Sequence, residues 1–181
     1  ASITSGVLGY AGLKELGFNV ELYIPDPERG YGFDDWDINC IIDRWPDVVA
    51  ILTCDTGVSC LKGVKFAKEN KCMVLVTDHH TEDASTTVRD VADVVVDPCG
   101  IGEEYPMKSI CGAHVMWQCL RTYTAMYRPD KVEAIEYLRV FAGIGTVSDM
   151  MLLQHENRQL VRDAVSVSRL LFELGYQYID M

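Results

Sequence analysis

Several things are scarce or missing in this chain, and each absence excludes a class of protein. No apolar run approaches the roughly 18 residues of a membrane span; Val48 to Leu52 is typical of what exists. No cysteine pair has the Cys-x-x-Cys spacing of a structural zinc site. Basic residues are outnumbered, 16 against 27 acidic ones, so a module that simply coats a nucleic acid backbone is excluded. Ala1-Ser2-Ile3-Thr4-Ser5-Gly6 has no basic stretch and does not read as a secretory signal. There is no internal repeat and no low-complexity linker. Histidine is rare, with four in all.

What is present is enough for a folded core. The 181 residues are 49% hydrophobic and 24% charged, which suits one domain or one large lobe and excludes disorder. The seven cysteines sit mostly in apolar stretches, as Cys54, Cys72 and Cys119 do, and read as free, reduced and cytosolic. The formal net charge is −11. Carboxylates in such excess are what hard divalent cations require. A phosphate-bearing substrate would then need metal ions, or basic residues from another part, to approach.

The pattern alternates apolar β-rich runs with amphipathic segments. Helices are expected over Ile3 to Leu16, ending at Gly17, then Asp35 to Arg44 and Val58 to Asn70. Strands are expected at Val20 to Ile24, Val48 to Thr53, Met73 to Thr77 and Val94 to Val96. Beyond these the chain is helical by period: Gly112 to Tyr127, Lys131 to Gly143 and Glu156 to Leu174. Apolar strands separated by helices imply an α/β fold, a parallel sheet covered by helices on both faces. Residues 1–100 would form the sheet part and residues 101–181 a mainly helical part of one lobe.

In such sheets ligands bind at the carboxyl ends of the strands. Ile51 to Cys54 runs into Asp55, and Val74 to Thr77 into Asp78-His79-His80. Two adjacent histidines with an aspartate make a compact set of metal and phosphate ligands; the alternative is an exposed polar turn. Asp55 could instead cap the helix that follows it. Asp149 lies in the apolar, small-residue stretch Gly143 to Met150. A lone buried carboxylate there is costly, so it requires a cation or a basic partner, with Arg158 the nearest candidate.

Thr53 to Gly57, Thr77 to His80 and Gly145 to Asp149 resemble the second to fourth motifs of the DHH phosphoesterases. Ile24 to Phe33, Ile110 to Ala113 and Glu156 to Val161 are similar to the RecJ-type single-strand exonucleases within that superfamily. The resemblance runs from about residue 3 to about residue 165. The family's first motif, Asp-x-Asp-Gly-x-Thr-Ser, would place its tail at Ile3-Thr4-Ser5, with Ser2 at the glycine and Ala1 at the second aspartate. In another register the whole Asp-x-Asp precedes Ala1. The family's second domain, which carries a glycine-rich substrate-binding motif, is not among these residues. His114 stands where RecJ-like sequences usually carry glycine.

The resemblance implies a metal-dependent phosphodiester hydrolase, the DHH lobe of a single-strand 5′–3′ DNA exonuclease with two divalent ions, Mn2+ or Mg2+. Asp55 would bridge the ions, His79 and Asp149 would complete one site, and His80 would touch the scissile phosphate. Asp78 would orient the histidine pair. Arg29 and Arg158 are the candidate phosphate-binding cations, and Tyr31 or Phe33 could stack on a base. The implied partners are single-stranded nucleic acid and replication or repair proteins, in the cytoplasm, with no membrane. Two alternatives remain open: a relative acting on oligonucleotides, cyclic dinucleotides or pyrophosphate, and an inactive binding or scaffold module.

Overall fold

The computed structural model describes residues 2–82 and 88–173. Ala1, which one register sets at the family's second aspartate, and Leu174, the expected end of the last helix, lie outside the described residues. The elements are α1 (Ser2–Glu15), α2 (Asp35–Arg44), β1 (Ala50–Cys54), α3 (Leu61–Glu69), β2 (Met73–Thr77), β3 (Val94–Val96), α4 (Gly112–Tyr127), α5 (Val132–Tyr137), α6 (Arg139–Ser148) and α7 (His155–Glu173). The strands form a parallel sheet in the order β1-β2-β3.

Each face of the sheet is covered, as strands apolar on both sides require. On one face Val74 and Val76 pack with Ile38, Val58, Val64 and Ala67 from α2, α3 and the turn before α3. On the other, Leu52 and Cys54 meet a core of Leu8, Met116, Trp117, Leu120 and Leu160. Helix α1 packs against both α4 and α6, so the sheet part and the helical part share that second core. Among the described residues no helix is long and apolar enough to cross a membrane. All seven cysteines are free.

The expected α/β architecture with a helical C-terminal part is observed, with four local corrections. Residues 20–24 form no strand. Among the described residues nothing pairs with them, and an extended segment without a partner has no ladder to join. They are held instead by side chains, the Tyr23 hydroxyl donating to Asp37 Oδ1 at 2.9 Å. Helix α3 starts at Leu61 rather than Val58, and its cap is Cys60, not Asp55. The first strand runs Ala50–Cys54, later than the expected 48–53. The expected helix over 131–143 is two helices, α5 and α6, broken at Leu138 by tighter turns: Leu138 N–H donates to Ile135 O, and Phe141 N–H to Leu138 O.

The segment before α2 is built to hold its shape. Asp26 accepts from Glu28 N–H at 3.0 Å and caps a short 3₁₀ turn, Pro27–Arg29. Asp34 accepts from Trp36 N–H and Asp37 N–H, while Asp37 accepts from Asp34 N–H, a complete capping box. Between those two caps, Gly30 (φ 104°) and Gly32 (φ 97°) adopt backbone angles that a side chain would strain, and they present Tyr31 at the tip. Phe33 anchors the loop by packing on Gly63, where an added Cβ would lie 2.7 Å from its ring.

Candidate metal centre

The parallel register aligns three acids. Cys54 pairs with Thr77, and Thr77 with Val96. One residue further on, Asp55 N–H still donates to Thr77 O and Asp78 N–H to Val96 O, at 2.9 and 3.0 Å. Asp55, Asp78 and Asp97 therefore stand side by side at three successive strand ends, each 2% exposed or less. Asp149 arrives from a different layer, at the C-terminal end of α6.

Two carboxylate oxygens flank a buried imidazole nitrogen. His79 Nε2 lies 3.0 Å from Asp55 Oδ1 and 3.1 Å from Asp149 Oδ2. Despite those separations, all three atoms lack a hydrogen-bond partner of acceptable geometry. Cis ligands around an octahedral ion at about 2.1 Å are separated by about 3.0 Å, so the separation of His79 from each carboxylate fits that of ligands to a divalent cation. Imidazole with two carboxylates suits manganese or a similar ion. Asp55 Oδ2 points away from the group and accepts from the Ser2 hydroxyl at 3.0 Å. Burial works to raise the Asp55 carboxyl, but His79, Ser2 and His80 outweigh it and hold it below its ordinary range. Burial likewise disfavours the charged His79 ring, yet Asp55, Asp149 and Asp78 raise it above its ordinary value. The attraction between the imidazole and the carboxylates drives the two shifts in opposite directions.

Asp55, His79 and His80 also offer one ligand atom each within 4.8 Å of one another. His80 is the weaker member of that set because both its nitrogens are engaged. Its Nδ1 meets Asp78 Oδ1 at 2.6 Å, and its Nε2 lies 3.4 Å from the Tyr31 hydroxyl. Asp78 is saturated: Oδ1 also accepts from His79 N–H, and Oδ2 from Val58 N–H at 3.1 Å. It orients the histidines and the turn into α3 rather than facing a ligand itself.

The other candidates fall apart from this group. The Arg29 guanidinium sits 4.1 Å over the Trp36 ring and pairs with Asp34. Arg158 is exposed, and among the described residues it pairs with no carboxylate, so the Arg158–Asp149 salt bridge is not formed. Phe33 packs on α3 and is not free to stack. His114 is fully buried, with Nδ1 at 3.2 Å from Asn157 Oδ1. Asn157 in turn donates to Ser109 O and Leu152 O, which explains the Glu156-Asn157-Arg158 segment as a clamp on the turn after Asp149. Burial lowers the His114 imidazole below its ordinary value.

Four residues have roles at this centre that their sequence context does not disclose. Ser2 bonds the Asp55 carboxylate. Tyr31 turns its hydroxyl inward, donating to Asp55 O at 2.6 Å; its place between two glycines was the available signal. Gly112 lies against Asp55, where an added Cβ would stand 2.2 Å from Oδ1. Asp97 closes the row of acids, and burial, aided by Asp78 and Glu82, pushes its carboxyl up to about 6.

Comparison with known proteins identifies the family and the fold. Residues 2–144 match the DHH family, N-terminal domain. The single-stranded-DNA-specific exonuclease RecJ of Haemophilus influenzae is 32% identical over 169 residues, covering 87% of this chain and 28% of the relative. RecJ of Bacillus subtilis is 33% identical over 147 residues, covering 81% of this chain and 17% of the relative. The chain thus spans well under a third of the length of these curated relatives. A crystal structure of exonuclease RecJ bound to manganese superposes with a TM-score of 0.72 at 26% identity, over 90% of this chain and 40% of that one. RecJ from Thermus thermophilus in complex with Mn2+ gives 0.67 at 23% identity, over 96% and 25%, and is similar in fold.

Proposed function

Since the chain belongs to the DHH family through its N-terminal domain, we propose that it is the metal-binding lobe of a RecJ-like phosphodiesterase that hydrolyses single-stranded DNA from the 5′ end. The observation that carries this reading is His79 Nε2 set between Asp55 Oδ1 at 3.0 Å and Asp149 Oδ2 at 3.1 Å, with all three atoms buried and unpartnered. Both RecJ structures similar to this chain hold manganese, which supports Mn2+, or Mg2+, as the ion.

Asp55, His79 and Asp149 would hold the ion. Bound there, it supplies Lewis acidity to a water and to a phosphoryl oxygen. The protein's own groups do the rest. Asp78 takes the Nδ1 edge of His80 and leaves its Nε2 edge, half-exposed, facing the place where a phosphate would sit. With Nδ1 engaged by Asp78, the Nε2 edge of His80 is the one placed to hydrogen-bond a phosphate oxygen that gains charge during attack. Arg29, on the capped loop before α2, and Arg158, at the start of α7, are the cations proposed to meet phosphates further along the strand. Single-stranded DNA is the substrate on this reading. Replication or repair proteins would be its company in the cytoplasm.

The test pairs calorimetry with cleavage. A manganese titration of this chain should show one ion, lost in Asp55→Asn. In the longer protein, His79→Ala should abolish metal-dependent cleavage of a single-stranded oligonucleotide while the thermal transition stays. Absence of binding in both chains, or cleavage retained by His79→Ala, would sink the assignment.

A further inference from the structure

Tyr31 combines two properties that are rarely found together. The residue is 72% exposed, yet its hydroxyl ends inside the metal centre. That hydroxyl donates its single proton to the Asp55 carbonyl at 2.6 Å. Its oxygen then faces His80 Nε2 at 3.4 Å, with the two rings edge-to-face at 5.5 Å. Asp55 needs the support. It has φ 63°, the left-handed region that a non-glycine residue occupies at a cost of about 1–2 kcal/mol. Turning the chain out of β1 in this way aims the Asp55 side chain at His79 and leaves its carbonyl pointing at the loop that carries Tyr31.

We infer that Tyr31 is a positioning residue of this centre. Its hydroxyl locks the left-handed Asp55 backbone and stands 3.4 Å from the outer nitrogen of His80, fixing that edge of the ring. The inference rests on the phosphodiesterase reading above for its purpose, though not for its geometry. The surrounding loop is shaped for the task. Capped by Asp26 at one end and Asp34 at the other, and anchored by Phe33 on α3, it has little freedom except at Gly30 and Gly32, whose backbone angles set the direction of Tyr31. The Tyr31 ring is thereby an immobilised wall beside His80, and not a side chain free to follow a passing base. An arriving phosphate oxygen would take over the His80 Nε2 contact, leaving the bond to Asp55 intact.

Tyr31→Phe removes the hydroxyl and keeps the ring; Tyr31→Leu removes both. The four histidines of the chain give a small, assignable set of imidazole nitrogen resonances. Tyr31→Phe should shift the His80 Nε2 resonance, leave those of His114 unchanged, keep the thermal transition and weaken manganese binding about tenfold, as loss of a group supporting a ligand does. Tyr31→Leu should match it. An unshifted His80 resonance with unchanged manganese affinity in Tyr31→Phe would overturn the inference, and so would loss of folding, which would make Tyr31 structural. If the parent chain binds no manganese while Tyr31→Phe still shifts His80, the metal reading fails and the positioning role stands.

Discussion

Replacing Gly112 by alanine should dislodge the Asp55 carboxylate without touching any ligand directly. Gly112 is the first residue of α4, and a Cβ there would stand 2.2 Å from Asp55 Oδ1, 2.4 Å from its Cβ and 2.6 Å from its Cγ. Comfortable contact begins near 3.5 Å, so the overlap exceeds 1 Å at more than one atom. Asp55 has nowhere to go in place: its backbone is committed to φ 63°, Ser2 holds Oδ2, and His79 abuts Oδ1. The carboxylate must rotate out of the group. Overpacking of this kind costs about 1–3 kcal/mol. Alanine's better helix propensity returns at most about 1 kcal/mol, and less in a first turn. The net loss of stability should be about 1–2 kcal/mol. Manganese affinity should fall further, by about 100-fold, the upper end of what misplacing a ligand's support does. Gly6→Ala is the control, since in α1 an added Cβ meets only the flexible end of Leu22 at 3.3 Å. It should leave affinity unchanged and stability equal or higher. Calorimetric titration and urea unfolding measure both quantities. Parent-like affinity and stability in Gly112→Ala would refute the placement of Asp55 against α4.

Three more outcomes follow from the same contacts. Asp97→Asn should stabilise the protein at pH 7. The folded carboxyl is raised from 3.8 to about 6, so between about pH 4 and 6 the native state binds the extra proton and stability falls as pH rises; the full shift corresponds to about 3 kcal/mol at most, and the variant should gain about 1–3 kcal/mol at pH 7 and nothing near pH 4. Urea unfolding at the two pH values checks this, and an equal difference at both would contradict it. Asp149→Asn should lower manganese affinity with little change in unfolding temperature; unchanged affinity by calorimetry would remove Asp149 from the ligand set. His114→Ala removes a fully buried ring and leaves Asn157 Oδ1 without its partner, which should cost about 2–4 kcal/mol in urea unfolding; a loss under about 0.5 kcal/mol would mean that the turn after Asp149 is held by other contacts.

Much of this molecule is legible in the residues themselves. Apolar strands that end in Asp55 and in Asp78-His79-His80 determined the parallel sheet and the edge where chemistry would sit, because strand burial on both faces and ligand binding at carboxyl ends are properties of local pattern. Asp149 was readable for a related reason, as a charge in an apolar stretch needs a partner. Which partner was a tertiary decision: Arg158 is nearer in sequence, but the packing of α6 against α1 and α4 brings Asp149 to His79 instead. The same holds for Tyr31. Nothing local distinguishes an aromatic side chain that stacks on a base from one whose hydroxyl grips a backbone carbonyl 24 residues away. Residues 20–24 carry a strand's composition and form none, since a strand exists only where another segment supplies its hydrogen bonds. Composition and period determine what each segment can be. Contacts between segments distant in the chain decide which atoms meet, and at this centre those contacts bring Asp55 and Asp149 to His79, the Tyr31 hydroxyl to the Asp55 carbonyl and its oxygen to His80.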